Sequence, residues 1–243
     1  MPTHSSRLII AALSAFSLLA APAGTPLEPS VPFQVGEKLT YNAKVSSLNA
    51  GKATMAVQSI ERVRGAATYH TSFDLHGRVL FKHFDNHYES WIDTTSLTAL
   101  RLIQKVNGDD KEYEFFPDRQ VYVKNDSVEH PSVALPLDEC SFLFYLRTLA
   151  LDVGHTYSVN RYYHADRNPI TVTVVRREHI SVPAGEFDAV VLHPVIQSNG
   201  LFSPKSSAEV WISADPAHLI LRLRTGLPLG TLTLELKQIE RPN

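Results

Sequence analysis

The chain has 243 residues, of which 44% are hydrophobic and 20% charged, with a formal net charge of −2 and a single Cys. These values are typical of a soluble globular protein and exclude a collagen-like or globally disordered chain. The balance of 23 basic and 25 acidic residues argues against a nucleic-acid partner, because phosphate backbones require strongly basic surfaces. Beyond the N-terminus, no apolar run approaches the ~20 residues that a membrane-spanning helix needs.

Residues 1–23 have the organisation of a secretory signal peptide. Arg7 precedes the apolar stretch 8–20, and the tripeptide Ala-Pro-Ala at 21–23 presents small residues at both key positions of a cleavage site. The alternative is an N-terminal membrane anchor, for which the apolar stretch is short. No Cys stands at the end of this stretch, so lipid attachment has no acceptor. We therefore expect a periplasmic protein with no integral membrane segment after cleavage.

From Phe33 onward, alternating apolar and polar residues are interrupted by turn signals every ~8–12 residues, as in an all-β sandwich, barrel or curved sheet. Asn107-Gly108 is the strongest hairpin signal, since both central positions of a type I′ turn require positive φ. The pattern predicts roughly a dozen strands, more than one flat sheet holds without curling. The predicted strands are 38–46, 52–62, 67–76, 81–93, 98–106, 111–116, 120–124, 155–163, 170–180, 187–196, 207–213, 219–225 and 231–239.

One amphipathic helix is predicted at about 138–150, where apolar residues recur at helical spacing and Asp138 can cap the first turn. Cys140 on this helix cannot form an intrachain disulfide, and we expect it to be a small buried side chain. No internal repeat is evident, and the loop 125–136 is the one candidate hinge. We therefore predict a mainly β fold, a strongly curved antiparallel sheet or half-barrel with one helix, forming a single domain over 24–243.

Four residues with metal-binding side chains, His83, Asp85, His87 and Glu89, alternate along one predicted strand and share a face. Along a strand the two His would lie ~13 Å apart, too far for one tetrahedral zinc, so a polar strand surface is favoured over a metal site. No sequence motif for nucleophilic, phosphate-binding or redox chemistry is present. We predict neither catalytic residues nor a cofactor, and a hydrolase with two carboxylates distant in sequence is a third alternative.

Aromatic residues recur on the predicted strands and on the helix, namely Tyr41, Phe73, Tyr88, Trp91, Tyr113, Phe115, Tyr122, Tyr145, Tyr157, Tyr162 and Trp211. Core packing explains most of them, but a curved sheet over one helix can also enclose an apolar cavity for a hydrophobic ligand. Arg147 could pair with an acidic group of such a ligand or form a surface salt bridge. As candidate ligand-binding residues we select Tyr41, Trp91, Phe115, Tyr145 and Trp211.

Several short motifs resemble a bacterial exported family known as domain of unknown function 3108. They include V-G-E-K-L-T-Y at 35–41, Y-L-R at 145–147, V-P-A-G-E-F at 182–187 and V-W-I-S-A-D at 210–215. The resemblance covers nearly the whole chain after the predicted signal peptide. It implies an extracytoplasmic, mostly antiparallel β protein of the bacterial envelope, and it implies no activity.

The leading hypothesis is a non-enzymatic periplasmic protein of the cell envelope that binds a lipid or another hydrophobic or amphipathic ligand. The alternative is an interaction or scaffolding protein for envelope assembly, with a fully packed core and an envelope protein partner bound at edge strands or at the loop 125–136. An apolar cavity above ~300 Å³ would favour the ligand-binding protein, and a filled interior would favour the scaffold.

Overall fold

The computed structural model describes residues 31–79, 81–125, 128–198, 200–228 and 230–242. The signal peptide predicted at 1–23 lies outside these residues. One antiparallel sheet of 14 strands and one α-helix account for most of the described chain. In chain order the elements are β1 (Lys38–Val45), β2 (Leu48–Val63), β3 (Ala66–Val79), β4 (Lys82–Asp93), β5 (Ala99–Val106), β6 (Asp109–Phe116), β7 (Val121–Lys124), β8 (Glu129–Pro131), α1 (Glu139–Leu146), β9 (Thr156–Val159), β10 (Ile170–Val182), β11 (Gly185–Val195), β12 (Glu209–Ser213), β13 (Ile220–Leu227) and β14 (Gly230–Glu240).

The sheet is long, open and curled around α1. Its strand order is β8-β7-β6-β5-β4-β3-β2-β1-β14-β13-β12-β11-β10-β9, which leaves β8 and β9 at the two edges. The segment after β9 reaches back to the other half of the sheet, because the guanidinium of Arg161 donates to the carbonyl oxygens of Ser96 and Leu97. Leu137 also forms a parallel bridge with Tyr162. Among the described residues, no helix is long and apolar enough to cross a membrane.

The predicted fold class, a curved antiparallel sheet of roughly a dozen strands with one helix, is confirmed. Every predicted strand has a counterpart, and β8 is the one that was missed, because a three-residue strand is too short to show alternation. It lies within 125–136, the loop predicted as a candidate hinge. The helix ends at Leu146, four residues before the predicted boundary, and Arg147 is its C-cap, with a backbone N–H that donates to the carbonyl oxygens of Phe144 and Tyr145.

Helix α1 is attached to the sheet through its first turn. Asp138 caps the helix as predicted, since its Oδ1 accepts hydrogen bonds of 2.8 Å from the backbone N–H groups of Cys140 and Ser141. Its Oδ2 accepts a 2.6 Å bond from the hydroxyl of Ser90 on β4. The thiol of Cys140 is buried, as predicted, and lies 3.7 Å from the hydroxyl of Thr71 on β3. The cap therefore faces the concave side of the sheet.

The sheet contains two six-stranded units, β1–β6 and β9–β14, that repeat each other, and β7 and β8 extend the edge of the first unit. The pattern V-G-x-x-x-[T/S]-x-N begins at residue 35 before β1 and again at residue 153 before β9. Gly36 donates to the carbonyl of Val57 at 2.8 Å, and Gly154 donates to the carbonyl of Val174 at the same distance. The prediction of a chain without internal repeats is therefore wrong. The shared pattern spans only eight residues with four identical or similar positions, and the loops of the two units differ in length, so the repeat is hard to recognise in the sequence.

Candidate functional site

The concave side of the sheet contains an apolar cleft of about 400 Å³. Its walls are the inner face of β3, β4 and β5, the helix α1, and the connection from β11 to β12. Leu75, Leu201 and Leu227 also border a neighbouring groove of about 290 Å³, which extends the cleft toward the turn between β13 and β14. The other apolar or aromatic side chains that line the cleft are Phe73, Tyr88, Leu143, Tyr162, Ile196 and Phe202.

The cleft exists because the second unit of the sheet departs from the first. The hairpin between β3 and β4 is closed by the pair Val79 and Lys82, whereas the equivalent connection from β11 to β12 spans residues 196–208. This longer connection folds into the concave side, where Phe202 is buried and packs edge-on against Phe142 of α1 at 5.2 Å. The hydroxyls of Ser206 and Thr225 hold it by donating to the carbonyl of Leu201.

One end of the cleft is polar. Glu139 in the first turn of α1 accepts a 2.9 Å hydrogen bond at Oε1 from the hydroxyl of Tyr162. Burial raises the pKa of Glu139, and this shift is opposed by its own backbone N–H, by the hydrogen bond from Tyr162 and by the charge of Arg167. Asn86 on β4 and Gln104 on β5 supply two amide side chains to the same cleft. The arrangement combines an apolar volume with a small number of fixed polar groups, which is typical of sites for amphipathic molecules.

Three of the five selected aromatic residues lie on the concave side but do not line this cleft. Tyr41 is buried, and its hydroxyl donates to the carbonyl of Ile220 at 3.0 Å. Phe115 is fully buried and contacts Tyr163 edge-on at 5.4 Å. Tyr145 on α1 lies under the guanidinium of Arg161, at 4.9 Å from the ring centre.

Trp91 and Trp211 lie on the opposite, convex face of the sheet. Ser90 points toward α1, so the next residue, Trp91, points away from it. Its indole N–H donates to Glu61 at 2.7 Å, and the guanidinium of Arg101 lies 4.7 Å from its ring. The five selected residues therefore do not share one surface, because the two tryptophans and the remaining three lie on opposite faces.

Trp211 repeats the environment of Trp91 in the second unit. Its indole N–H donates to Glu178, and the guanidinium of Arg222 lies 5.5 Å from its ring. Each Trp is also followed directly by a register shift in its pairing with the next strand, at Trp91/Ile92 and at Trp211/Ile212. Both tryptophans are therefore equivalent positions of the repeat, buried under charged side chains on the convex face.

Arg147 is neither a surface residue nor a ligand-facing one, and both predictions for it are wrong. Its side chain is completely buried, and Nη1 lies 2.6 Å from Oε1 of the equally buried Glu37. The guanidinium also donates to the carbonyl oxygens of Pro32, Ala217 and His218. Every side of the cation is therefore engaged by the protein. The partner Glu37 is 110 positions away in sequence, which is why helix periodicity could not reveal it.

The convex face of β2, β3 and β4 carries a chain of alternating carboxylates and imidazoles. His70 lies between Glu61 at 2.9 Å and Glu89 at 2.7 Å. His87 lies between Glu89 at 2.6 Å and Asp74 at 2.5 Å. Burial alone would lower the pKa of His87, but its hydrogen bonds to Asp74 and Glu89 outweigh burial and raise it.

Two of the four candidate metal ligands, His87 and Glu89, belong to this series of alternating carboxylates and imidazoles. Asp85 pairs instead with His76 at 2.5 Å, and His83 is exposed at the beginning of β4. Within the described ranges, no three His, Cys, Asp or Glu side chains are grouped so that they could hold a metal ion. The alternating carboxylates and imidazoles form a hydrogen-bonded polar surface on the convex face of the sheet.

Several cleft-lining residues outside the five selected ones have a recognisable sequence pattern. Phe73, Tyr88 and Tyr162 were among the recurrent aromatic residues, and all three line the cleft. Asn86 has the same strand parity as Tyr88 and Ser90, so it is a polar residue on the side of β4 that faces the helix. A polar residue at an inward position of a strand is the feature that points to this site.

These observations define an open, barrel-like antiparallel β protein with an apolar cleft between its sheet and its single helix. The sequence model of the family described as protein of unknown function (DUF3108) matches residues 39–237, and the chain belongs to this family, which confirms the resemblance. A comparison with curated proteins finds no match.

A comparison with solved structures finds matches at low sequence identity. A β-barrel-like protein of domain of unknown function DUF1849 from Brucella abortus has a TM-score of 0.56 and 10% identity, covering 85% of this chain and 97% of its own. A Bacteroides fragilis protein described as exported, with a YmcC-like fold, has a TM-score of 0.31 and 14% identity, covering 87% and 98%. A Parabacteroides distasonis protein described as a lipoprotein has a TM-score of 0.31 and 12% identity, covering 86% and 97%. The Brucella abortus protein shares the fold.

Proposed function

We propose that this chain is an exported, non-enzymatic protein of the bacterial envelope that holds a lipid or another apolar or amphipathic molecule in its interior cleft. The observation that carries the proposal is the apolar cleft of about 400 Å³, together with the adjoining groove of about 290 Å³. Ligand sites are typically concave, mostly apolar volumes of ~300–1,000 Å³ with a few placed polar groups. The volume suits a single acyl chain with a small head group.

The signal-peptide organisation of residues 1–23 supports export, and the periplasm is the compartment that we propose. An exported protein in this compartment encounters lipids of two membranes. A protein with an interior apolar cleft can shield an acyl chain from the water between them, because burial of apolar surface is favourable by roughly 25 cal/mol per Å².

The packing of the interior favours a ligand over a scaffold with a filled core. Next to the cleft, the rings of Tyr113, Phe115, Tyr122 and Tyr163 pack against one another with centroids 5.3–6.4 Å apart. This part of the interior is filled by the protein itself. Packing stops at the cleft, where the β11–β12 connection holds the walls apart, and a bound molecule would complete the core there.

The carboxyl groups near the cleft support a binding role. Burial raises the pKa of Asp138 to about 7, and hydrogen bonds from Ser90, Ser141 and Cys140 oppose this shift. Asp138 is used by these contacts and does not line the cleft, so Glu139 is the acidic residue that faces it among the described residues. Glycoside hydrolysis needs two carboxyl groups across a cleft, and here the second one is committed to the helix cap.

Native mass spectrometry tests the proposal on protein purified from the periplasm without detergent. We expect a stoichiometric lipid or acyl species on the wild type and its loss from Leu201→Trp, because Leu201 borders both the cleft and the groove. Val153→Trp introduces the same side chain at an exposed position and is expected to retain the ligand. Thermal unfolding verifies that both variants fold. A clean apo mass, unchanged when an envelope lipid extract is added, would contradict the proposal.

A further inference from the structure

Two buried oxygen atoms in the cleft have no hydrogen-bond partner in the described chain. They are Oε2 of Glu139 and Oδ1 of Asn86, and both residues line the same volume. A buried acceptor without a donor costs about 1–3 kcal/mol, so such atoms are rare in native proteins and require an explanation. Both atoms are acceptors, and both come from elements that wall the cleft.

No donor group of the described residues makes a hydrogen bond to either atom. Tyr162 donates to the other oxygen of Glu139, at Oε1, and its hydroxyl has a single proton to give. The remaining unpaired polar atoms of the described residues belong to Thr98, Ser132 and Arg222, and none of these three residues lines the cleft. Among the described residues, Glu139 and Asn86 are therefore the two cleft-lining residues that each retain a buried, unpaired acceptor.

We propose that the cleft selects uncharged single-chain amphipaths whose head group carries hydroxyl groups, with one hydroxyl donating to Oε2 of Glu139 and another to Oδ1 of Asn86. This inference rests on the proposed function and names the class of molecule bound. A monoacylglycerol is the simplest member of the class, since its acyl chain fits the apolar walls around Leu75 and Leu201 and its head has two hydroxyl donors.

The chemistry of the polar end discriminates against other head groups. An ionised carboxylate or phosphate head group has only acceptor oxygens, so it cannot donate to Oε2 of Glu139 or Oδ1 of Asn86. It also places a second negative charge beside Glu139. An ester without hydroxyls offers no donor and leaves both oxygens unpaired, the situation in which sites reject analogues most strongly. Arg167 also lines the cleft, but its charge already acts on Glu139 and opposes the rise of that residue's pKa.

Binding of three probes with the same acyl chain tests the inference. The probes are 1-monolauroylglycerol, methyl laurate and lauric acid, each titrated into delipidated protein at pH 7.5 below its micelle concentration. We expect 1-monolauroylglycerol to bind at least tenfold more tightly than either of the others. Asn86→Leu is expected to weaken 1-monolauroylglycerol about tenfold and to leave methyl laurate unchanged. Glu139→Gln removes the negative charge and is expected to bring lauric acid within about threefold of 1-monolauroylglycerol.

Asn49→Leu makes the same exchange as Asn86→Leu at an exposed position of β2 outside the cleft and is expected to preserve the order of the three affinities. Equal binding of all three probes, tighter binding of lauric acid, or an unchanged order in both Asn86→Leu and Glu139→Gln would overturn the head-group inference and leave the proposed function standing. Failure of all three probes to bind would overturn both.

Discussion

Replacing Arg147 with Met tests whether the buried ion pair attaches the end of α1 to the sheet. Arg147 and Glu37 have side-chain exposures of 0% and 2%. The substitution leaves the Glu37 carboxylate buried and deprives three backbone carbonyls of a donor. Removing one partner of a buried pair costs about 3–5 kcal/mol. Because Arg241 remains 3.0 Å from Glu37, we expect the lower part of that range, about 3–4 kcal/mol.

Urea unfolding at pH 7, followed by tryptophan fluorescence, measures this loss. With an m value of about 1–3 kcal/mol per M, a loss of 3 kcal/mol lowers the midpoint by about 1 M or more. Arg147→Lys keeps the positive charge beside Glu37 with fewer donors, so it provides a milder variant if Arg147→Met does not fold. The double variant Arg147→Met, Glu37→Met is expected to lose less than the sum of the two single losses, because the two side chains are in direct contact.

Lys38→Met is the matched control for this prediction. It removes an ion pair of 3.9 Å with Glu240 in which both side chains are 48% exposed, and exposed pairs contribute about 0–1 kcal/mol. A loss below ~1 kcal/mol for Arg147→Met, or a loss equal to that of Lys38→Met, would refute the assignment of Arg147 as a buried structural cation.

Two further predictions concern the sheet. His87→Asn is expected to lower the free energy of unfolding by about 0.5–1 kcal/mol at pH 5.5 and by less at pH 8.5. The pKa of His87 is raised in the folded protein above its value near 6.5 in the unfolded chain. The stability that this shift contributes is therefore present below pH 6.5 and is lost as the pH rises through the pKa of the folded protein. Urea unfolding at both pH values measures the difference, His83→Asn is the control on the same strand, and an equal or larger loss at pH 8.5 contradicts the reasoning. Gly77→Ala is expected to cost at least about 2 kcal/mol, because a Cβ atom there would lie 2.0 Å from the carbonyl oxygen of Ala50. Gly200→Ala, where the nearest atom is 3.5 Å away, is expected to be nearly neutral, and similar melting temperatures for the two variants would refute the steric argument.

Strand alternation was sufficient to predict most of the sheet, because side chains of a strand point alternately to two faces whatever the strand pairs with. It also placed His83, Asp85, His87 and Glu89 on one face, and the structure has all four on one face of β4. The Asp138 cap was readable from sequence for the same reason, since a cap involves only the residues of its own turn.

Alternation alone does not reveal which face of a strand meets the interior. Alternation states that Trp91 and Ser90 point to opposite sides, but it does not state which side meets the helix. Large apolar rings suggest the interior, yet each Trp is instead covered on the convex face by an Arg from the adjacent strand and a Glu from the strand beyond the other neighbour. Those partners are 10–33 positions away along the chain, so their proximity follows from strand register, which a single strand does not encode.

The sequence by itself determined the class of fold, the strand series, the helix start and the family, since each of these depends on local pattern or short motifs. Only the tertiary structure decided the repeat of the two units, the burial of Arg147 against Glu37 and the position of the cleft. The cleft arises where the connection 196–208 folds back over the sheet and meets α1, so its lining residues come from segments as distant as Phe73 and Leu227. The curvature of the whole sheet brings these distant residues together, and no short segment of the sequence contains them all.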